Sequence, residues 1–293
     1  MRILITGGAG FVGGRLIKRL AGEHEIFALV RKAPAQPAAN VTWLVQDLAA
    51  PNWSVALPEK IDAVVHLAQS SHFRDFPNQA MDVYAVATGA TMRLLDWSHK
   101  AGARNFVLGS TGGLYGTSEQ PVSETGDLPD QRNQLGFYFA AKRAAELLAQ
   151  QYAGQINVAT LRFFFVYGAG QPAPMLLPRL ASNVRDGNPI FLHGDDGLRL
   201  NPIHVDDAVN AIRQSLQLTE SRVFNIAGPE VTTLRAIGEE IGHQVGRAPV
   251  FNVDKITKPN HLVADIARMS RALGAPKIGV AAGIAELLGK AKA

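Results

Sequence analysis

The 293-residue chain contains no cysteine. Disulfides, thiolate metal sites and a cysteine nucleophile are thereby excluded, and the composition fits a reducing compartment. No run approaches the ~18–20 apolar residues that cross a bilayer. The opening residues, MRILITGG, lack the charged, apolar and cleavage regions of a signal peptide. A cytoplasmic location is the expectation. Blocks of like charge are also missing: 29 Lys and Arg against 25 Asp and Glu leave a net charge of +4, scattered along the chain. Neither nucleic acid nor a membrane is an expected partner. Trp43, Trp53 and Trp97 are too dispersed to form a base-stacking platform. His66, His72 and His193 show no ligand spacing, His204 reads as a packed strand end, and Asp206 and Asp207 read as a helix start. No metal site is expected.

What is present is ordinary for a folded protein with a sizeable core: 47% of residues are hydrophobic and 18% charged. The length suits one large domain with a smaller partner. Short β-type runs alternate with helical patterns through the first half. Strands are expected at 2–6, 26–30, 41–45, 63–67, 105–108 and 157–162. Helices are expected at 11–21, 81–100 and 137–152. Such alternation implies parallel strands joined by right-handed crossovers. The second half is less regular, with helices expected at 175–185, 206–216 and 232–245, a strand at 223–226, and Asp206 as a helix cap.

Between the first strand and first helix stands Thr6-Gly7-Gly8-Ala9-Gly10-Phe11-Val12-Gly13. A tight strand-to-helix turn needs glycine torsions, and a pyrophosphate must reach the backbone without a Cβ in the way. The helix start then offers unpaired N–H groups to that phosphate. Gly7, Gly10, Phe11, Val12 and Gly13 are therefore candidate dinucleotide-binding residues. After the second strand, where a carboxylate would accept from the 2′-hydroxyl of NAD, the chain has Arg31-Lys32. That pair favours NADP, with NAD as the alternative. Asp47 and Leu48, after the third strand, are placed to contact adenine.

Tyr138 and Lys142 lie four apart, on one face of the expected helix. A phenol with a pKa near ~10 is a poor proton shuttle at neutral pH. A nearby ammonium and an oxidised nicotinamide both favour phenolate, so the Tyr138 pKa is expected to fall.

With these motifs the chain resembles the extended short-chain dehydrogenase/reductase family, in particular its nucleotide-sugar epimerase/dehydratase/reductase group. The resemblance extends through His66-Leu67-Ala68, Ser110-Thr111-Gly112-Gly113-Leu114-Tyr115-Gly116, Leu161-Arg162, Val166-Tyr167-Gly168, Ile203-His204-Val205-Asp206-Asp207 and Asn225-Ile226-Ala227-Gly228. It implies an α/β fold: a Rossmann-type doubly wound parallel sheet over residues 1–168 and 204–227, with a smaller substrate-binding lobe from 169–203 and 228–293. It also implies that Leu67 and Ala68 line the cofactor, that Tyr138 is the acid/base and that Lys142 binds the nicotinamide ribose. Thr111, four residues before Tyr115, would orient the reacting oxygen, with Ser110 as its close neighbour. A homodimer through the helices near 81–100 and 137–152 is implied as well.

Several positions depart from the family pattern. Gly112 and Gly113 replace the acidic pair that dehydratases carry. Phe165 stands where many members have an asparagine near the substrate phosphates, and Arg199 is displaced by one residue. Both remain candidate substrate contacts. Ala87 stands near the position of a further asparagine. The reading reached is an NAD(P)-dependent oxidoreductase acting on a sugar-like, nucleotide-linked carbonyl or alcohol. A keto-sugar reductase is the first expectation, a 4-epimerase the alternative and a non-catalytic dinucleotide sensor the remoter one. Specificity is expected in 169–203 and in loops such as 70–78.

Overall fold

The structure, a computed structural model, describes residues 1–290. The chain opens with β1 (Arg2–Thr6), α1 (Phe11–Leu20), β2 (Glu25–Val30), β3 (Val41–Val45) and β4 (Ala63–His66). There follow α2 (Ala80–Tyr84), a π-helical turn (Ala85–Gly89), α3 (Ala90–Lys100), β5 (Asn105–Thr111), α4 (Gly136–Gln151) and β6 (Asn157–Phe163). The remainder contributes α5 (Leu176–Asp186), β7 (Ile190–His193), β8 (Arg199–Leu200), α6 (Val205–Ser215) and β9 (Arg222–Ile226). It ends with β10 (Thr232–Thr233), α7 (Leu234–Val245), β11 (Phe251–Asp254), α8 (Ala267–Ala272) and α9 (Val280–Leu287).

Seven strands form one sheet in the order β3-β2-β1-β4-β5-β6-β9. Its pairings of β1 with β2 and β4, β2 with β3, and β4 with β5 are all parallel. This is the Rossmann arrangement, with the chain reversing direction across the sheet between β1 and β4. Ligands of such sheets bind beyond the carboxyl ends of the strands at that reversal. There the register aligns Thr6 with His66, so the glycine loop and the segment after His66 are neighbours. The strands read as continuous apolar runs because both faces are covered. Leu4, Leu29, Val64, Leu94 and Phe106 form much of the core behind this edge.

The chain divides into two compact units, one of residues 1–114, 128–162 and 209–224, the other of 115–127, 163–208 and the chain from 225 onward. The second unit contains a parallel pair, β7 with β11, and an antiparallel pair, β8 with β10. Its core gathers Leu180, Leu192, Ile237, Ile241 and Ile284 around Tyr167.

Local differences from expectation have identifiable causes. The helix expected from Thr232 begins at Leu234, because Thr232 and Thr233 pair with β8 and the Thr233 hydroxyl caps the helix by accepting from Ala236 N. Asp206 lies inside the first turn of α6 rather than at its cap. β7 and β11 have no counterpart among the expected strands; each is four residues long and is defined by its partner rather than by its own pattern.

Candidate active site

Gly7 has φ +70, and a Cβ there would stand 2.9 Å from Ala68 N. A Cβ at Gly13 would meet Gly7 O at 2.3 Å. Glycine at both positions lets the turn close onto β4 and onto the helix start. Thr6 Oγ1 ties the edge together by accepting from Ala68 N at 3.1 Å and bonding His66 Nδ1 at 2.7 Å. Burial, then the charge of Lys142, lowers the His66 pKa to about 3, so this histidine is neutral and structural. Gly10 caps α1 in an extended conformation, with no side-chain bond to the first turn and no acidic residue there. Orphan N–H groups and an unopposed dipole end are what a dinucleotide phosphate requires, so the residues present fit such a cofactor. Arg31, Lys32 and Asp47 are exposed and Leu48 is buried.

Tyr138 and Lys142 stand on the buried face of α4. The Tyr138 hydroxyl donates to Gln69 Oε1 at 2.9 Å, and its ring leans on Phe73 and Phe139 at centroid distances of 5.3 and 5.5 Å. Burial pushes the phenol well above its ordinary value, while a hydrogen bond with Thr111 and the charge of Arg74 pull it back. This corrects the expected depression: desolvation of the buried phenol outweighs both lowering influences. Lys142 Nζ donates to Gly109 O at 2.8 Å, and burial lowers its pKa to about 8 against the raising charge of Glu146. Thr111, at the end of β5, accepts from Gly113 N at 3.1 Å. Thr111, Tyr138 and Lys142 thus come together within one unit. Ser110 points elsewhere, onto Glu146 Oε1 at 2.5 Å.

The departures acquire physical reasons. Ala87 lies in the π-helical turn and packs with Val83, Tyr138 and Ala141, so an apolar contact stands where the family pattern has an amide. A Cβ on Gly113 would fall 2.4 Å from the Phe139 ring, so no acidic side chain fits there. Phe165 and Arg199 belong to the second unit. Phe165 has φ 44, a left-handed conformation that a bulky residue seldom adopts, and packs on that unit's core. Arg199 Nη2 donates to Glu119 O at 2.7 Å. Also in the second unit, the ligand atoms of His204, Asp206 and Glu286 lie within 4.8 Å of one another. His204 Nδ1 there accepts from Asp206 N at 3.3 Å, and Nε2 faces Glu286 at 3.0 Å.

Sequence reasoning missed Gln69, Glu146 and the role of Arg162. Glu146 continues the four-residue spacing of Tyr138 and Lys142 along α4, a signal that was readable. Gln69 gave none, because loop conformation alone aims it at Tyr138.

Several known proteins are similar to this chain along most of its length. The "Probable UDP-glucuronate 4-epimerase" of Rhizobium meliloti (strain 1021) is 26% identical, covering 86% of this chain and 85% of that protein. The dTDP-glucose 4,6-dehydratase of Streptomyces griseus is 29% identical, over 97% of this chain and 92% of its own. The structure described as "MoeE5 in complex with UDP-glucuronic acid and NAD" superposes with a TM-score of 0.83 at 27% identity, covering 99% and 98% of the two chains. Among the described residues, no helix is long and apolar enough to cross a membrane. The model of the NAD dependent epimerase/dehydratase family matches residues 3–227, and the chain belongs to that family of NAD(P)-dependent enzymes.

Proposed function

We propose that this protein is a nucleotide-sugar 4-epimerase. The observation that carries the reading is the pairing of a buried Tyr138 hydroxyl with Thr111, on a turn where Gly112 and Gly113 leave no carboxylate to eliminate water. The glycine loop would hold the dinucleotide phosphates, Leu67 and Ala68 would line it, and Asp47 and Leu48 would face adenine. When bound, the cofactor supplies reversible hydride exchange at the reacting carbon. Thr111 holds the oxygen on that carbon by hydrogen bonding. Tyr138, as the phenolate that the Lys142 ammonium favours, would accept the hydroxyl proton, hold it as the phenol and later return it. Phe165 and Arg199 are the candidate contacts to the rest of the substrate. The names of the relatives support epimerisation over net reduction.

The exposed Arg31 and Lys32, at the end of β2 where the sequence has no carboxylate, favour the second reading, an NADPH-using keto-sugar reductase. An epimerase recycles its cofactor in place, so purified protein should release close to one equivalent of NAD(H) on denaturation. Protein that emerges empty and exchanges NADPH freely would establish the reductase reading instead. Met81, Tyr84 and Leu147, exposed on α2 and α4, support a homodimer through these helices, to be checked by light scattering after size exclusion.

A further inference from the structure

Behind the Tyr138–Lys142 face, four polar side chains are buried together: Ser110 at 6% exposure, Lys142 at 5%, Glu146 at 9% and Arg162 at 5%. They come from three elements, β5, α4 and β6. The Glu146 carboxylate accepts from Ser110 Oγ at 2.5 Å, from Arg162 Nη2 at 2.6 Å, and from Arg162 Nε at 3.1 and 3.2 Å. Burying an ion pair is costly, and an apolar pair of the same shape often serves stability as well or better. Stability alone is therefore a weak reason for this arrangement.

The charge balance suggests another. The cluster holds two cations, Lys142 and Arg162, and one anion. Arginine does not give up its proton in proteins, whereas a buried lysine does so readily. If the anion were neutralised, the excess positive charge would relax in one way, by loss of the Lys142 proton. We propose that Glu146 is a positioning residue: one helical turn beyond Lys142, and fixed by Arg162 and Ser110, it keeps Lys142 in the ammonium form beside Tyr138. The inference rests on the reading of Lys142 as the partner of Tyr138.

The other groups around Lys142 do not take over this role. His66 on β4 is neutral and bonded to Thr6, Gly109 on β5 offers only its carbonyl, and Tyr138 on α4 is a protonated phenol. Arg162 on β6 is itself paired with Glu146, so on this proposal it competes with Lys142 for the same negative charge.

This opposition yields a signature that a merely structural salt bridge would not produce. In protein labelled at the lysine Cε carbons, the Lys142 signal, assigned by its loss in Lys142→Arg, is followed by NMR against pH. Glu146→Gln should lower its titration midpoint by about one pH unit, a tenfold loss in proton affinity. Arg162→Gln, which leaves a hydrogen-bonding group but no charge, should raise the midpoint. Glu146→Asp should restore most of the wild-type value. An unchanged midpoint in folded Glu146→Gln, or shifts of the same sign in both variants, overturns the proposal. If Glu146→Gln does not fold, Arg162→Gln decides alone, upward in support and unmoved against. The alkaline limb of turnover with UDP-glucuronate should shift alongside. Absence of turnover in the wild type would reject the epimerase reading, while the NMR midpoints would still decide the role of Glu146.

Discussion

Tyr138 in the first unit and Tyr167 in the second are both buried, and burial raises the pKa of both. Their remaining neighbours act in opposite directions. Around Tyr167 the further influences are the carboxylates of Glu230, Asp207 and Glu286, each of which pushes the phenol higher still. Around Tyr138 they are the Thr111 hydroxyl and the Arg74 guanidinium, both of which favour phenolate. Tyr167 lies against His204 edge to face, with Gly283 so close that a Cβ there would clash with its ring and hydroxyl. Tyr138 instead has a side chain that can move away, the exposed Gln69, as its hydrogen-bond partner. Burial makes a phenol inert, and only donors and cations around it make its proton available.

The largest expected effect breaks the comparison at its centre. Tyr138→Phe should cost about 10²–10⁴-fold in turnover with the fold intact. Tyr167→Phe should leave turnover within a few-fold of wild type and lower stability by no more than about 1 kcal/mol, because its bond to Gly279 O is long at 3.4 Å. Equal losses in the two variants would remove the distinction. Next in size are the glycines that shape the two pockets. Gly283→Ala should destabilise by about 1–3 kcal/mol by overpacking Tyr167, seen as a lower Tm. Gly113→Ala should push Phe139 against Tyr138 and reduce turnover more than it lowers Tm.

The pH dependence should follow Lys142. Its ammonium is the form that supports phenolate, and its pKa near 8 lies below the ordinary lysine value. Activity should therefore fall as pH rises through about 8, and a profile flat to pH 10 would count against the assignment. The smallest effect concerns an exposed group. Arg31→Asp should change NADPH affinity by about tenfold relative to NADH if the cation meets a 2′-phosphate. No change would leave Arg31 as a solvated surface residue.

The first unit was largely readable because its signals are local. Strand runs, the glycine turn and the Tyr138–Lys142 spacing each depend on a few neighbouring residues, and the alternation implies the parallel pairing. Much of the second unit was not, since β8 and β10 are two residues each and exist only through their pairing with one another. The same division runs through the site. Thr111, Tyr138 and Lys142 could be named from motifs, whereas Gln69 reaches Tyr138 through a loop and Arg162 reaches Glu146 across the β6–α4 packing. Ala87 illustrates a third case: it stands where the family pattern has a polar group, and only its packing against Tyr138 gives a reason.

The central claim is that Tyr138 moves the proton in a reaction that inverts a sugar carbon without net redox change. Wild-type protein incubated with UDP-glucuronate or UDP-glucose in an NMR tube tests it most directly. The account predicts that the C4 epimer appears until both sugars stand at equilibrium, with no cofactor consumed, and that Tyr138→Phe abolishes the exchange. Consumption of one NADPH per sugar, or inversion that survives Tyr138→Phe, would contradict it.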